Sequence, residues 1–173
     1  MLVFLRHTGT PHLPERLLRL VRQDVTQRAL WLDTKKVPAA KRQAWIDRHV
    51  LRPDVQVLFV NPDAVRTGLN NLVTFSTAIW YELHYSATTY RQANGRLHRI
   101  GQTKPVSVLF PVYADTAQEL GMDLVARKVS ASLQVDGLDV QAALEAAGAS
   151  ESEGVSLATV MALGEAVYRE LVG

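Results

Sequence analysis

The segment YRQANGRLHRIGQ, residues 90–102, carries the most specific arrangement of polar side chains in this 173-residue chain. It places Arg96 and Arg99 three positions apart, so on a helix the two side chains share one face. Each guanidinium offers a planar fork of donors and keeps its charge, which makes the pair suitable for binding a polyphosphate. Gln92 lies four positions before Arg96 and is expected beside it as a neutral donor and acceptor.

Arginines with this spacing also occur on basic helix ends that are simply solvated, and the spacing alone leaves both interpretations open. Residues 92–102 further resemble motif VI of superfamily-two helicases, in the form carried by Swi/Snf-type DNA translocases. The resemblance implies that Arg96 and Arg99 are catalytic and reach the γ-phosphate of ATP held on a partner lobe. Such arginine fingers stabilise the charge that builds up during phosphoryl transfer. Gln92 is then expected at the same ATP-binding interface.

A second short motif lies upstream, where RTGLN, residues 66–70, resembles motif V of the same family. The resemblance implies that Arg66, Thr67 and Asn70 contact the backbone of a nucleic acid, with the Thr67 hydroxyl donating to a phosphate. It also places Gly68 near ATP, because a residue without a Cβ allows close approach. By itself this five-residue pattern also fits an ordinary turn.

The composition is that of a globular protein with one domain and an appended helical piece, since 47% of the residues are hydrophobic and 21% charged. There is no cysteine, which excludes disulfides and cysteine metal sites. No signal peptide and no apolar run of ~20 residues is found, so we expect a cytoplasmic protein without a membrane partner.

The charge is unevenly distributed along the chain. Residues 1–106 hold 16 Lys and Arg against 7 Asp and Glu, whereas residues 107–173 hold 3 against 10. A basic body with an acidic tail indicates that the body meets an anion such as nucleic acid or ATP. The alternative is that the charges only keep both halves soluble.

Five apolar segments separated by helical patterns predict a parallel sheet covered by helices on both faces. The predicted strands are residues 2–5, 29–33, 55–60, 73–80 and 106–113. With the two motifs, this order resembles the second, C-terminal RecA-like lobe of a helicase motor. The resemblance implies an α/β fold, a RecA-like three-layer sandwich with a mainly parallel sheet of about five strands plus C-terminal helices. We assign residues 1–135 to the lobe and residues 136–173 to a helical tail.

Polar side chains follow the first two predicted strands. Arg6 and His7 come directly after the first strand, and Lys35 lies in the loop after the second. Open α/β sheets bind ligands at the carboxyl ends of their strands, so we predict that these three residues bind nucleic acid. We also expect Arg96 and Arg99 to point outward at the carboxyl end of the sheet.

Helical periodicity predicts which side chains of three helices face the core. Ser86 is the expected N-cap of the helix that delivers the arginines, and Thr116 with Glu119 is expected to form a capping box. The predicted inward positions are Leu13, Leu17, Leu20 and Val21 in the first helix; Ala44, Trp45 and either His49 or Val50 in the helix opened by Pro38; and Leu120, Leu124, Val125, Val129 and Leu133 in the helix after Thr116.

Some features of the helicase family are missing. None of the ten glycines precedes a lysine, so there is no phosphate-binding loop, and no adjacent Asp-Glu pair is present for Mg²⁺. The family also has an Asp and a Trp-Asn-Pro near residues 76–85, whereas this chain has Trp80 followed by Tyr81 and Glu82, which indicates a divergent branch.

We therefore expect the chain to be the C-terminal half of an ATP-dependent nucleic-acid helicase or translocase, with DNA the expected nucleic acid. ATP and Mg²⁺ would be bound in the full-length protein mainly by an N-terminal RecA-like lobe that is absent from this chain. The chain would supply arginine fingers and backbone-phosphate contacts, without a metal site or a tightly bound cofactor of its own. Alone, it is expected not to hydrolyse ATP.

Two other hypotheses remain. The chain is alternatively a non-catalytic RecA-like module that binds nucleic acid or another protein. A third possibility is an unrelated α/β enzyme that uses His98 or His84 as a base, but no nucleophile lies near either in the sequence.

Overall fold

Five short strands form one sheet in the order β2-β3-β1-β4-β5, and every neighbouring pair is parallel. The computed structural model thus confirms the predicted α/β fold with five parallel strands. The strands are β1 Leu2–Phe4, β2 Ala29–Trp31, β3 Val57–Val60, β4 Thr77–Trp80 and β5 Ser107–Leu109. Each is shorter than predicted, and the beginning of the fourth predicted strand is instead the 3₁₀ turn Asn71–Thr74.

The structure describes residues 1–6, 12–51, 54–66, 69 and 71–135. They belong to two compact units, one formed by Met1–Glu82 with Gln92–Phe110 and the other by Leu83–Arg91 with Pro111–Gly173. The proposed boundary between residues 135 and 136 stays a prediction. Outside the described residues lie the predicted helical tail 136–173 and the predicted site residues His7, Thr67, Gly68 and Asn70.

The centre of the sheet is the core of the first unit. All residues of β1 and β3 are buried, which fits their continuous apolar sequences, because the central strands of a parallel sheet are covered on both faces. The rings of Phe4 in β1 and Trp80 in β4 pack with their centroids 4.4 Å apart. Trp80 is only 2% exposed, so it is a core residue here.

Among the described residues, four α-helices lie between successive strands in the sequence, and the longest α-helix follows β5. They are α1 Leu13–Asp24, α2 Ala39–Ile46, α3 Pro62–Arg66, α4 Ala87–Asn94 and α5 Ala117–Val135. A π-helical turn, Asp47–Leu51, directly continues α2. None of the described helices combines the length and apolar character needed to cross a membrane.

The predicted inward faces of α1 and α2 are partly wrong. Leu20 in α1 is 41% exposed. In α2 and the π turn, Ala44 and His49 are exposed, while Ile46 and Val50 are buried. Trp45 is only half-buried. The periodicity of apolar residues shows which side of a helix is apolar, but not how much of that side the sheet covers. In this segment the residues that contact the core are Ile46 and Val50, which are four positions apart.

The second unit contains the start of α5, where the predicted capping residues meet. The Thr116 hydroxyl oxygen accepts a hydrogen bond from the Gln118 N–H at 3.2 Å. The Glu119 carboxylate accepts one from the Asp115 N–H at 2.9 Å. The Thr116 side chain thus satisfies an N–H group that the helix start leaves without a backbone partner. Glu119 binds the N–H of Asp115, one position before the N–H of Thr116 that a capping box would use.

The buried face of α5 differs from the predicted one. Leu120 and Leu124 are 72% and 47% exposed, whereas Val125 is buried as predicted. Gly121 explains the change, because a Cβ at this position would approach the Tyr85 hydroxyl to 2.9 Å. The helix packs most closely where its side chain is smallest, which turns the neighbouring Leu120 outward. Val129 is half-buried, and the Leu133 side chain lies outside the description.

Truncating Leu58 to alanine should lower the free energy of unfolding by about 2–5 kcal/mol, because this side chain is completely buried in β3. Leu20→Ala on α1 is the matched control, for which we expect a loss of at most about 1 kcal/mol. Urea denaturation of the two variants measures the difference. Equal losses would show that Leu20 belongs to the core after all.

Candidate functional site

The helix that leads to the basic cluster is fixed at both ends. Ser86 caps α4 as predicted, since its hydroxyl oxygen accepts a hydrogen bond from the Thr89 N–H at 3.2 Å. At the other end, the Asn94 side-chain oxygen accepts a hydrogen bond of 3.0 Å from the indole N–H of Trp80. The last residue of the helix is thus attached to the end of β4.

The two arginines lie just beyond the helix. The backbone continues in turns, with the Arg96 N–H bonded to the Ala93 carbonyl at 3.2 Å and the Leu97 N–H to the Asn94 carbonyl at 2.9 Å. Gln92 is on α4 and exposed, Arg96 is half-buried and Arg99 is exposed.

A hydrogen bond to the backbone of α3 contributes to the position of Arg96. Its Nη2 atom donates a hydrogen bond of 2.7 Å to the backbone carbonyl of Arg66, the last residue of α3. Burial lowers the pKa of Arg96 from its ordinary value, and the positive charge of Arg99 lowers it further. The two guanidiniums are therefore close enough to repel each other, which is the arrangement expected of a site for a multiply charged anion.

Gln102 is the last residue of the motif at 92–102, but sequence reasoning gave it no role of its own. Its side-chain nitrogen lies 2.9, 3.0 and 3.1 Å from the carbonyl oxygens of Val73, Phe75 and Leu97. Its side-chain oxygen accepts the Lys104 N–H at 3.0 Å. This one amide thus fixes the loop after the arginines against the segment that leads into β4. No local signal marks the role, because two of the three carbonyls are distant in sequence.

The loop after the arginines lies toward the amino end of the sheet, while the predicted direction of the Arg96 and Arg99 side chains stays a prediction. Gln102 binds Val73 and Phe75, which precede β4, and the Ser107 N–H at the start of β5 bonds to the Ser76 carbonyl. The loop that follows the arginines therefore reaches the amino end of the sheet. The physical reason is the crossover geometry, since a helix between two parallel strands runs back toward the end where the next strand begins.

Three predicted nucleic-acid residues lie within the described part of the chain. Arg6 follows the central strand β1, and its carbonyl accepts a hydrogen bond of 3.1 Å from the Asn61 side chain. Lys35 follows β2, where its N–H bonds to the Asp33 carboxylate at 2.9 Å. Arg66 ends α3 and is the residue brought to Arg96. Arg6 and Lys35 thus follow the carboxyl ends of two strands that are separated by β3.

Known proteins resemble this chain in both sequence and structure. The helicase-like transcription factor CHR27 of Arabidopsis thaliana is 34% identical over 118 residues, which are 68% of this chain and 11% of that protein. A Danio rerio protein described as a SWI/SNF-related matrix-associated actin-dependent regulator of chromatin, subfamily A containing DEAD/H box 1A, is 29% identical over 82 residues, 47% of this chain and 8% of that protein. The crystal structure of the C-terminal part of the Fun30 ATPase domain matches with a TM-score of 0.59 and 27% identity, covering 72% of this chain and 38% of that one.

The chain belongs to the Swi/Snf-type helicase family. Its parallel sheet is that of the second, C-terminal RecA-like lobe. No protein-family model matches the sequence. This Swi/Snf-type lobe spans about a tenth of the length of the curated relatives it matches. In those helicase-like relatives, the matched region is therefore one part of a larger protein.

The Swi/Snf-type lobe offers cationic donors for phosphates. Arg96 and Arg99 together offer two positively charged forks of hydrogen-bond donors, which suit a polyphosphate. The charge of Arg99 lowers the pKa of Arg96 in addition to burial, and a bound anion would reduce this repulsion. Among the described residues, no three His, Asp or Glu side chains come together in a way that would hold a metal ion.

Replacing Gln102 by alanine should destabilise the Swi/Snf-type lobe by about 1–3 kcal/mol, because carbonyls around its half-buried amide would lose their donor. Gln92→Ala, at an exposed position of α4, is the matched control and should change stability by no more than about 0.5 kcal/mol. Urea unfolding measures both variants. The anchoring role fails if Gln102→Ala is as stable as the control.

Proposed function

We propose that this chain is the C-terminal lobe of an ATP-dependent nucleic-acid translocase and completes an ATP site on an N-terminal lobe. The observation that carries the proposal is the paired guanidiniums, with Arg96 held by the Arg66 carbonyl and Arg99 exposed beside it. In this assignment Arg96 and Arg99 contact the γ-phosphate and Gln92 lies beside the nucleotide. Gly68, which lies outside the described residues, is assigned to the same nucleotide contact.

The chemical role of the arginines follows from how phosphoryl transfer works. Charge on the phosphoryl oxygens is redistributed in the transition state, and fixed donors placed around it stabilise that state. A guanidinium has five N–H donors, so the bond from Arg96 to Arg66 is compatible with a contact to phosphate. That bond would also reduce the conformational freedom that Arg96 loses when ATP binds.

ATP and Mg²⁺ enter this proposal through the other lobe. When bound, the metal would neutralise phosphate charge, and its ligands are assigned to the N-terminal lobe. On this chain, Ile100 is a large apolar side chain that is fully exposed next to Arg99. Its exposure supports the proposal that a partner lobe covers this surface. The turn that presents it contains Gly101 at φ +103°, a backbone conformation that glycine adopts easily.

Nucleic acid is assigned to the carboxyl ends of the strands, through Arg6, Lys35 and Arg66, together with His7, Thr67 and Asn70. DNA is the expected nucleic acid. The expected contacts are to its backbone phosphates, so binding would not depend on the base sequence. Arg66 would connect the two functions, because its side chain is assigned to nucleic acid while its carbonyl holds Arg96. A change in one contact would then move the other.

The alternative of a non-catalytic RecA-like module shares the nucleic-acid surface but needs no ATP. The histidine-based enzyme is less well supported. The His84 Nδ1 atom accepts the Ser86 N–H at 3.2 Å, and the ring packs edge-on against Tyr90, which suits a structural role. The cellular location of this chain depends on the full-length protein, so the cytoplasmic location stays a prediction.

In the full-length protein, Arg96→Ala should slow ATP hydrolysis on the order of 10³-fold, because a donor to the transferring phosphate is removed. Arg96→Lys should also be impaired, since an ammonium lacks the planar fork. Steady-state phosphate release measures the rates, and Arg19→Ala, at an exposed position of α1, is the control. The isolated chain should show no turnover. Turnover by the isolated chain that disappears in Arg96→Ala would contradict the two-lobe mechanism.

Arg66→Ala and Lys35→Ala should each weaken binding to DNA and make it less sensitive to salt. Each lost phosphate contact reduces the slope of log affinity against log salt concentration by roughly 0.7–0.9. Fluorescence anisotropy at several salt concentrations measures the slope. Arg19→Ala is again the control, and a change of slope in this variant equal to the other two would show only unspecific attraction to a basic protein.

A further inference from the structure

A cleft beside Trp45 lies apart from the arginine pair. It has a volume of about 260 Å³, and all its lining residues belong to the first compact unit. One wall is the loop 36–38 after β2, and the other is formed by Lys41, Trp45, Arg48 and His49 on α2 and the π turn. The motif resemblance assigns no role to any of these residues.

The loop that forms one wall is held in place by two side chains. The Asp33 carboxylate accepts the Lys35 N–H and lies 3.6 Å from the ammonium of Lys36. From the other side, the Arg42 guanidinium donates to the Val37 carbonyl at 3.3 Å. Because these bonds form without a ligand, the cleft is largely built before anything binds.

The other wall presents aromatic surface that the core does not use. The rings of Trp45 and His49 are four positions apart, with centroids 5.2 Å from each other. Trp45 is half-buried, whereas Ile46 and Val50 provide the core contact of this segment. A large flat side chain therefore lines the cleft without being needed to cover the sheet.

The rim of the cleft is rich in donors and poor in acceptors. Lys36, Lys41 and Arg48 are all exposed, and within the described residues neither Lys41 nor Arg48 forms an ion pair. The wall carbonyls already have donors, since Val37 O accepts from Arg42 and Pro38 O from the Lys41 N–H. A suitable ligand therefore brings acceptors and negative charge together with a flat apolar group.

We propose that this cleft binds an unpaired base of a nucleic-acid strand, stacked on Trp45, with the neighbouring phosphates held by Lys41 and Arg48. The inference rests on the proposed nucleic-acid function and adds a base contact to it. The volume lies just below the range of about 300–1,000 Å³ typical of sites for small molecules, which suits a single base. Stacking on an aromatic ring combined with basic side chains is how proteins bind single strands without sequence preference.

The location agrees with this ligand. Lys36 follows Lys35, which is assigned to nucleic acid, so a strand lying along the carboxyl ends of β1 and β2 would arrive at the cleft. An acidic peptide is the competing ligand, because it also brings negative charge and apolar side chains. It is less suitable, since its backbone N–H groups would need acceptors, and no residue that lines the cleft has a carboxylate, amide or hydroxyl side chain.

The test is the affinity of the chain for a fluorescently labelled 12-nucleotide oligo-dT, measured by anisotropy at low salt. Trp45→Leu should weaken binding about 5–100-fold, which corresponds to the loss of one stacked base. The matched control is Tyr81→Leu, which removes another partly exposed aromatic residue of the same unit, 46% exposed, and should leave the affinity unchanged. Duplex DNA of the same length should bind to the wild-type chain and to Trp45→Leu equally well.

Two further variants keep the test valid if Trp45→Leu fails to fold. Lys41→Gln and Arg48→Gln change exposed side chains, and each should reduce the salt slope for oligo-dT by roughly 0.7. Far-ultraviolet circular dichroism identifies variants that have lost their fold.

Three outcomes would overturn the cleft proposal. One is unchanged oligo-dT affinity in folded Trp45→Leu and in both charge variants. Another is a poly-glutamate peptide of twelve residues that binds the wild-type chain more tightly than oligo-dT does and loses this affinity in Trp45→Leu. The third is no binding of oligo-dT at any salt concentration. If Arg66→Ala weakens DNA binding while Trp45→Leu does not, the proposed function stands without the cleft, and ATP hydrolysis by the full-length protein tests that function independently.

Discussion

The hydrogen bond from the Arg96 guanidinium to the Arg66 carbonyl is the contact on which the functional argument depends. It joins the end of α3 to the turn after α4, two segments that are far apart in the sequence. It also positions one of two like charges, whose mutual repulsion lowers the pKa of Arg96 in addition to the effect of burial. Gln102 fixes the other end of the same loop by binding carbonyls at the start of β4 and in the turn itself. The basic cluster is therefore held between two anchors.

The crossover geometry of the parallel sheet distributes the basic side chains of this lobe. Arg6 and Lys35 follow the carboxyl ends of β1 and β2, whereas the helix after β4 runs back toward the end where β5 begins. The bond from Arg96 to the Arg66 carbonyl nevertheless brings these two residues together. In the proposed function, the nucleic acid at Arg66 and the nucleotide at Arg96 would therefore lie close to each other, and this bond would connect their sites directly.

Features that depend on local sequence were predicted well, whereas those that depend on the environment of a residue were not. The buried strands β1 and β3 are continuous apolar runs, and the caps at Ser86 and Thr116 involve neighbouring residues only. Which side of a helix is covered depends on the partner surface, so Leu20 and Ala44 were placed inward although both are exposed. Likewise, Gln102 could not be found from sequence, since Val73 and Phe75 reach it only in the folded sheet.

The positive charges of Arg96 and Arg99 lie close together, which costs free energy as long as no anion is bound. This cost bears on how the pair would bind a phosphate. Arg96 and Arg99 repel each other, and Arg96 is also partly removed from water, so both effects oppose its charged state. A polyphosphate between the two guanidiniums would remove the repulsion and replace lost water contacts with charged hydrogen bonds. A polyphosphate held by both guanidiniums would thereby gain more free energy than one held by two separate surface arginines. In the proposed two-lobe protein the N-terminal lobe delivers the nucleotide, so this gain would be available only when the lobes meet, and ATP binding and lobe closure would be one coupled event.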